Sequence, residues 1–593
     1  MFIGIDPSKM LELVRDYPGT IAYDTETNGL VWGKNVVIGY VITNKEYSLY
    51  TPVRHEGGGN IPDVESFEQA LGAAFDERGR KGYRTVGHNL NFDITMGWQS
   101  GVVPRAPLED TQINEGLIDD NTVGYSLDEC AKRHGVTPKA GAELYAELAR
   151  RFGGVPDRKQ MANFYRMPGD DPHVVDYACG DGVTTLELWE RQQVALDEQD
   201  LRRVWQLECD LIPYVAGMKI KGMKVDSNVA DEVIADIERD VAEAKKILPP
   251  GFNPRSPKEV EALFRSNGFS DGDFDRSETG RFSFTEKWLQ TNDIGRSMLK
   301  VRKLDNARSS FIAPLIDTHN INGRVHATLN QSRSDEFGTN TGRFSCSDPN
   351  LQAQPKRNKD IGKRVRRLVV PDEDMIIEEG DAKQQEPRLF THYSDDENLL
   401  KGYKANPPID IHSQASSLLG LDRDIAKRLG LGMLTGMQPP TLAKHMGYSL
   451  LEARAHHRMF LTDAFPGIGR FQRQARLVAT NRGYIKTLLG RRARFPDSQY
   501  AYKATSRIIQ GSGADHIKLV VLRACQYAES LAPGEIDILM TIHDSVLWQR
   551  HKSTSSEELV RIMENVANEL ELQVPIPFEV GSGLTWAEAS YGK

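Results

Sequence analysis

A multidomain protein of mixed α/β and α+β class is what this sequence predicts, and three observations carry the prediction. The 593 residues are too many for one ordinary domain of about 100–200 residues. Residues 1–195 alternate short apolar runs with helical stretches, the pattern of an α/β domain. After residue 200 long amphipathic stretches give way to mixed segments that end in a candidate hairpin and a helix-then-strand. With 39% hydrophobic and 26% charged residues the composition is that of a globular protein, which excludes collagen-like, low-complexity and largely disordered chains. No run of 18 apolar residues is present to cross a bilayer, and residues 1–8 do not read as a secretory leader, so a soluble, unexported protein with no membrane partner is expected.

Within the first domain, residues 21–23 read as a strand running into Asp24, and residues 36–42 as a buried strand. The glycine run at 55–60 reads as a loop, and residues 126–134 and the segment ending near Leu196 as helices. Residues 201–248 form long amphipathic helix broken at Lys221-Gly222-Met223, and Pro254 and Pro257 close one helix and open another. A helical block covers residues 412–480, a hairpin residues 536–550, and a helix then a strand residues 556–580.

The five cysteines are scattered without a CxxC pair, which fits reduced buried thiols rather than a zinc site or disulfide framework. The net charge is −9, yet residues 356–367 hold seven basic residues against one acid, and Gly490 to Arg494 reads GRRAR. Either stretch suits a nucleic-acid groove or a solvated charged face.

Three strings carry chemistry in the first domain: Asp24-Thr25-Glu26, then His88-Asn89-Leu90-Asn91-Phe92-Asp93, then Tyr177-Ala178-Cys179-Gly180-Asp181. Side chains two apart on a strand share a face, so the first pair of carboxylates can meet one metal. In this order the strings resemble the motifs of the 3′–5′ proofreading exonucleases of DNA polymerases. That resemblance implies an RNase H-like domain over residues 1–195 in which Asp24, Glu26, Asp93 and Asp181 hold two divalent cations, Mg²⁺ or Mn²⁺, while Tyr177 orients the attacking water. The i, i+4 spacing of Tyr177 and Asp181 lets one helix face present both.

The second constellation begins at Gly323-Arg324-Val325-His326 and continues through Thr339-Asn340-Thr341-Gly342-Arg343-Phe344-Ser345 and Pro349-Asn350-Leu351-Gln352. It resembles family A DNA polymerases, the family of bacterial DNA polymerase I and many phage enzymes, and the similarity runs to the C-terminus. The resemblance implies a right hand: thumb and start of palm over 196–325, palm over 326–408, fingers over 409–497 and the rest of the palm over 498–593. Asp381 and Asp544 would be the catalytic ligands of a second metal pair, and Glu386 the gate against a ribose 2′-OH. His412, Arg423, Lys427, Leu431 and Thr435 would bind the dNTP. Primer–template DNA would be held by Arg343, Asn350, Gln352, Arg507, Gln510 and His543.

Arg423, Lys427, Leu431 and Thr435 are spaced by four and so share one helix face. The string Asp381-Ala382-Lys383-Gln384-Gln385-Glu386-Pro387-Arg388 departs from the family pattern at Lys383 and Pro387, which leaves the local strand-to-helix geometry open. Ser545 replaces an acid, Ser506 an asparagine, and Leu431 and Thr435 replace aromatic residues. Gly430 and Gly432 each cost a helix about 1 kcal/mol, predicting a flexible fingers helix. With no tyrosine hydroxyl at Leu431, dideoxynucleotides should be incorporated less readily than deoxynucleotides; equal incorporation in a competition assay would overturn this expectation.

The function implied is template-directed primer extension with proofreading, by a monomer. Two rivals remain open: an exonuclease whose polymerase half has degenerated, motivated by Lys383, Pro387, Ser545 and Thr435, and a non-catalytic DNA-binding scaffold. No large insertion for a processivity factor is visible in residues 227–320, and replisome partners stay unnamed. With no 5′ nuclease segment ahead of the exonuclease motifs and an Arg-Asp-Ile-Ala-Lys helix of phage type, the expectation is a phage or prophage replicative enzyme in a bacterial cytoplasm.

Overall fold

The structure, a computed structural model, describes all residues except 138–140, 277–279, 281, 333–339, 357, 435 and 593, together with every side chain among the rest but that of Leu431. Thr339, Thr435 and the Leu431 side chain, on which sequence expectations fall, therefore lie outside the described residues.

The first domain is built on a six-stranded sheet in the order β1-β4-β3-β2-β5-β6. Its strands are β1 (Phe2–Gly4), β2 (Ile21–Thr27), β3 (Val37–Thr43), β4 (Tyr47–Pro52), β5 (Thr85–Gly87) and β6 (Leu108–Asp110). β2, β3 and β4 pair antiparallel, whereas β1 joins β4 and β5 joins β2 in parallel. β3 is buried along its whole length, which suits its β-branched sequence VIGYVIT. A Cβ at Gly39 would overlap the Tyr50 hydroxyl, so glycine there permits that ring to lie across the strand. The helix Pro172–Glu198 packs over β2, β3 and β4, with Val174, Val175, Tyr177 and Ala178 in one core with Ile38, Val41 and Tyr50.

The helix Arg202–Lys221 ends where expected, at Gly222 with φ +61°, a left-handed conformation that glycine adopts without strain. The helix Ser227–Lys245 follows, capped by Asp226, and packs on the helix Asp293–Asn306. The palm sheet consists of β7 (Met375–Ala382), β8 (Ile536–Ile542), β9 (Ser545–His551) and β10 (Phe578–Gly583), all antiparallel in the order β8-β9-β7-β10. The expected hairpin is thus β8–β9. Beyond the expected helix and strand, β10 stops at Gly583 and Trp586 begins a further helix, Trp586–Tyr591. Thr585 supplies the N-cap that starts it, and the buried Trp586 indole donates to Glu379 at 2.8 Å.

The fingers helices Ile411–Leu419, Arg423–Leu434, Pro439–Met446, Leu450–Arg458 and Pro466–Arg482 enclose a second core that includes Leu389, Ile411, Ala426, Leu429, Met433 and Phe460. Behind the palm runs the helix Ala504–Ser530, buried through its middle. It carries half of a buried ionic cluster. Glu208 accepts from Arg491 Nη2 at 2.5 Å and Lys518 Nζ at 2.6 Å, and Arg491 Nε also donates to Asp515 at 3.1 Å. Burial pushes the Lys518 ammonium down to about 8, although Glu208 opposes the shift. Charges removed from water persist only when paired in this way.

On the same helix His516 is wholly buried, and burial pushes its imidazole down to about 4. Gln385 Nε2 donates to its Nδ1 at 2.9 Å and to the Gly513 carbonyl at 3.2 Å, so a proton on Nδ1 would set two donors face to face. The folded state therefore keeps His516 neutral, while the unfolded chain protonates it below its ordinary value of 6.5. The associated stability is fully present above that value and is lost as pH falls towards 4, by roughly 3 kcal/mol. Thermal melts of wild type and His516→Gln between pH 7 and 4.5 should show the flatter pH dependence in the variant; equal slopes would refute the assignment.

Candidate active sites

β2 carries Asp24 and Glu26, and the 172–198 helix crosses its end to deliver Asp181. These three residues each offer a carboxylate oxygen within 4.8 Å of the others. An all-oxygen cluster of that size suits a hard divalent cation. Tyr177, one turn before Asp181, is buried against Phe164 and Tyr145, at ring separations of 5.7 and 6.5 Å. Burial and the Asp181 and Glu26 charges raise its phenol pKa, so it stays a proton donor.

Asp93 is placed differently from the other three. It lies in the helix Leu90–Trp98, 2% exposed, and its Oδ1 accepts from Thr25 N at 2.9 Å and Thr25 Oγ1 at 2.6 Å. The carboxyl thus adjoins β2 but is not one of the three that meet within 4.8 Å. Burial and then the Asp24 charge push its pKa well above the ordinary carboxylate range, against the Thr25 bonds.

The turn that launches this helix depends on a residue the motifs do not include. Asn89 sits at φ +64°, and Asp110 at the end of β6 accepts from Asn89 N at 3.0 Å and Leu90 N at 2.7 Å. Asp110 also caps the next helix through Gln112 N at 2.7 Å. Its place directly before a helical stretch was a visible capping signal.

In the palm, β7 carries Asp381 one residue before its end, and the partner of Asp381 across the ladder is Ser545, the first residue of β9. Asp544 immediately precedes Ser545 at the hairpin tip, and the Ala382 amide donates to its carbonyl at 3.1 Å. Directly opposed residues of antiparallel strands lie about 5 Å apart, so the two aspartates occupy one short stretch of cleft. Burial and then the Asp381 charge raise the Asp544 pKa. His543 takes φ +58°, the left-handed conformation a two-residue hairpin turn demands. Ser545 Oγ and Lys356 Nζ both donate to Asp381 Oδ2, at 3.2 and 2.7 Å.

The two departures that left the strand-to-helix passage open are both accommodated. Gln384 takes φ +52°, and the helix Gln385–Ser394 begins behind it, with Pro387 in the first turn where no intrahelical bond is lost. Lys383 pairs with Glu579 at 3.2 Å. Arg388 stacks on the Tyr403 ring, with its guanidinium carbon 4.5 Å from the centroid, and donates to the Pro575 carbonyl at 2.6 Å. Glu386 faces Arg343, which donates to it at 2.6 Å.

On the fingers helix, Arg423 and Lys427 are exposed while Ala426, Leu429 and Met433 face the core. Arg423 donates to Asp410 at 3.0 Å and to Ser413 at 3.1 Å, beside the buried His412. Burial holds the His412 imidazole below its ordinary pKa, with Asp410 opposing. The helix runs unbroken through Gly430 and Gly432. A Cβ at Gly432 would press on the Met437 side chain, so that glycine serves packing.

The expected DNA contacts divide into two groups. Asn350 and His543 are exposed, Gln510 is half-buried, and Gln352 Nε2 donates to the Thr541 carbonyl at 3.2 Å. Arg507 is instead engaged within the protein: it donates to Asp120 of the first domain at 2.9 Å. Arg494 pairs with the same carboxylate at 3.0 Å, so Asp120 of the first domain takes arginines from two separate segments of the C-terminal half.

The basic stretches are also largely spent internally. Arg364 pairs with Asp240 at 2.6 Å, Arg366 with buried Glu379 at 3.3 Å, and Arg367 with Glu232 at 2.9 Å.

Comparison with known proteins agrees with this architecture. The profile of DNA polymerase family A matches residues 223–588. Over 612 aligned residues the chain is 31% identical to DNA polymerase DpoZ of Acinetobacter phage SH-Ab 15497, covering 95% of this chain and 96% of that one. It is 25% identical to DNA polymerase I of Rhizobium leguminosarum, across 96% of this chain and 59% of the relative. The POL domain of Pol1 from M. smegmatis, solved in complex with DNA primer-template and dNTP, shares the fold with a TM-score of 0.80. That match covers 99% of this chain and 100% of the other at 20% identity. The matched profile takes in Asp381, the fingers helix and Asp544, and the chain belongs to DNA polymerase family A.

Proposed function

We propose that this chain, a template-directed DNA polymerase of family A, extends a primer 3′-OH at Asp381 and Asp544 and edits the 3′ end at the cluster of Asp24, Glu26, Asp93 and Asp181. The synthetic reading rests on one observation above others: Asp381 on β7 lies across the ladder from Ser545, so its charge bears on Asp544 at the adjoining hairpin tip. The editing reading rests on the three carboxylates that meet within 4.8 Å.

Divalent cations, Mg²⁺ or Mn²⁺ in pairs, would supply activation of the attacking oxygen and neutralisation of the leaving one at each site. Asp381 and Asp544 would hold them for synthesis. Arg423 and Lys427 would take the triphosphate of the dNTP, His412 would donate to it, and Glu386 would exclude a 2′-OH. Arg343, Asn350, Gln352, Gln510 and His543 would line the primer–template, reading groove acceptors that all base pairs share. In the editing site Tyr177 would orient the water that attacks the terminal phosphodiester.

The degenerate-polymerase alternative loses its motivation at Lys383 and Pro387, since both fit their surroundings. A scaffold would gain nothing from acids facing phosphate, which weaken DNA binding. Primer extension with Mg²⁺ on matched and mismatched 3′ ends tests both activities. Extension of the matched primer with excision of the mismatch is expected; no extension would remove the synthetic assignment, and an intact mismatch the editing one.

A further inference from the structure

The synthetic centre contains a cation that none of the roles above uses. Lys356 stands four residues after Gln352, and its Nζ lies 2.7 Å from Asp381 Oδ2 and 3.6 Å from Glu379 Oε1. Ser545 Oγ approaches the same Asp381 oxygen at 3.2 Å, and neither bond reaches Oδ1. The lysine is not on a free strand end. Tyr591 in the C-terminal helix directs its hydroxyl to the carbonyls of Pro355 and Lys356, at 3.3 and 3.4 Å, which anchors the backbone. Glu379 is already engaged by Trp586 and Arg366, so the mobile charge in reach of Lys356 is that of Asp381.

A surface ion pair normally contributes little. This one occupies an oxygen of a proposed metal ligand. Holding Oδ2 from two sides fixes the carboxylate rotamer and leaves Oδ1 for coordination. A fixed positive charge a few ångströms from the cation also repels it, since unit charges 4 Å apart interact appreciably even in a screened site.

We infer that Lys356 is a positioning residue of the synthetic centre: with Ser545 it orients Asp381 for metal binding, and its charge weakens divalent-cation affinity there. The inference rests on the reading of Asp381 as a metal ligand, and the experiment separates the two. In a background of Asp24→Ala with Glu26→Ala, which removes the editing cluster as a competing site, Mn²⁺ binding is measured by calorimetry for four forms. These are the parent, Lys356→Met, Lys356→Arg and Asp381→Ala. Lys356→Met should bind Mn²⁺ about threefold to tenfold more tightly. Its extension kcat should fall several-fold with the dNTP KM unchanged, and Lys356→Arg should restore both values towards the parent. Unchanged Mn²⁺ affinity in Lys356→Met, while Asp381→Ala loses Mn²⁺, overturns the role of Lys356 alone. Unchanged affinity in Asp381→Ala overturns the ligand assignment beneath it.

Discussion

Asp544→Ala should lower the rate of primer extension by at least about 10³-fold, the scale seen when an essential catalytic group is removed. Primer–template affinity should stay nearly constant, because deleting an acid beside phosphate does not cost binding. The size of the effect follows from the absence of a substitute. Ser545 stands where a third acid would be, and it is committed to Asp381. Glu379 is close in sequence, yet it is 1% exposed and held by the Trp586 indole and Arg366. Withdrawing it would break a buried pair, which costs several kcal/mol. Single-turnover extension with saturating DNA and dNTP measures the prediction, with filter binding as the control. Extension within tenfold of wild type would show that Asp544 is not the second ligand.

Much of this centre is legible in the sequence alone. The hairpin at 536–550 announced itself by two apolar runs around His543-Asp544, and both strands form. The break at Gly222 and the strand into Asp24 were equally readable, because each depends on a local rule. The i, i+4 relation of Tyr177 and Asp181 held because the 172–198 helix continues through both.

What stayed hidden depends on contacts between distant segments. Glu208, Arg491, Asp515 and Lys518 form one buried cluster although more than 280 residues separate the first from the second. In the sequence Arg491 was only part of GRRAR, and Lys356 only the start of a basic stretch. A run of charge reports nothing about the acids that fold opposite it, so both stretches read equally as a nucleic-acid groove or a solvated face, whereas much of their charge is paired within the protein. The same limit applies to Asp93. Its motif placed it with three other acids, whereas its orientation is set by Thr25 across the domain.

Asp24→Ala should reduce excision of a 3′ single-stranded end by at least about 10³-fold and leave extension of a matched primer within about twofold. Asp24 is the member of the cluster through which the others are linked: it shares an oxygen cluster with Glu26 and Asp181, and its charge bears on Asp93. The Asp93 pKa, raised by burial and then by Asp24, adds a pH signature. A protonated carboxyl is a poor ligand, so proton and metal compete for the site, and excision should fall as pH is lowered towards the acid range. The sign follows from the shift. The raised pKa keeps Asp93 protonated at pH values where an ordinary aspartate has already ionised, so activity is lost at higher pH than a normal carboxylate would dictate. Raising the Mn²⁺ concentration should move the acid limb of the excision profile to lower pH. Excision that survives Asp24→Ala, or an acid limb indifferent to metal concentration, would separate the cluster from the chemistry. Neither result would alter the extension arm of the same assay, because the palm aspartates lie in another domain and their carboxylates share no ligand with this cluster.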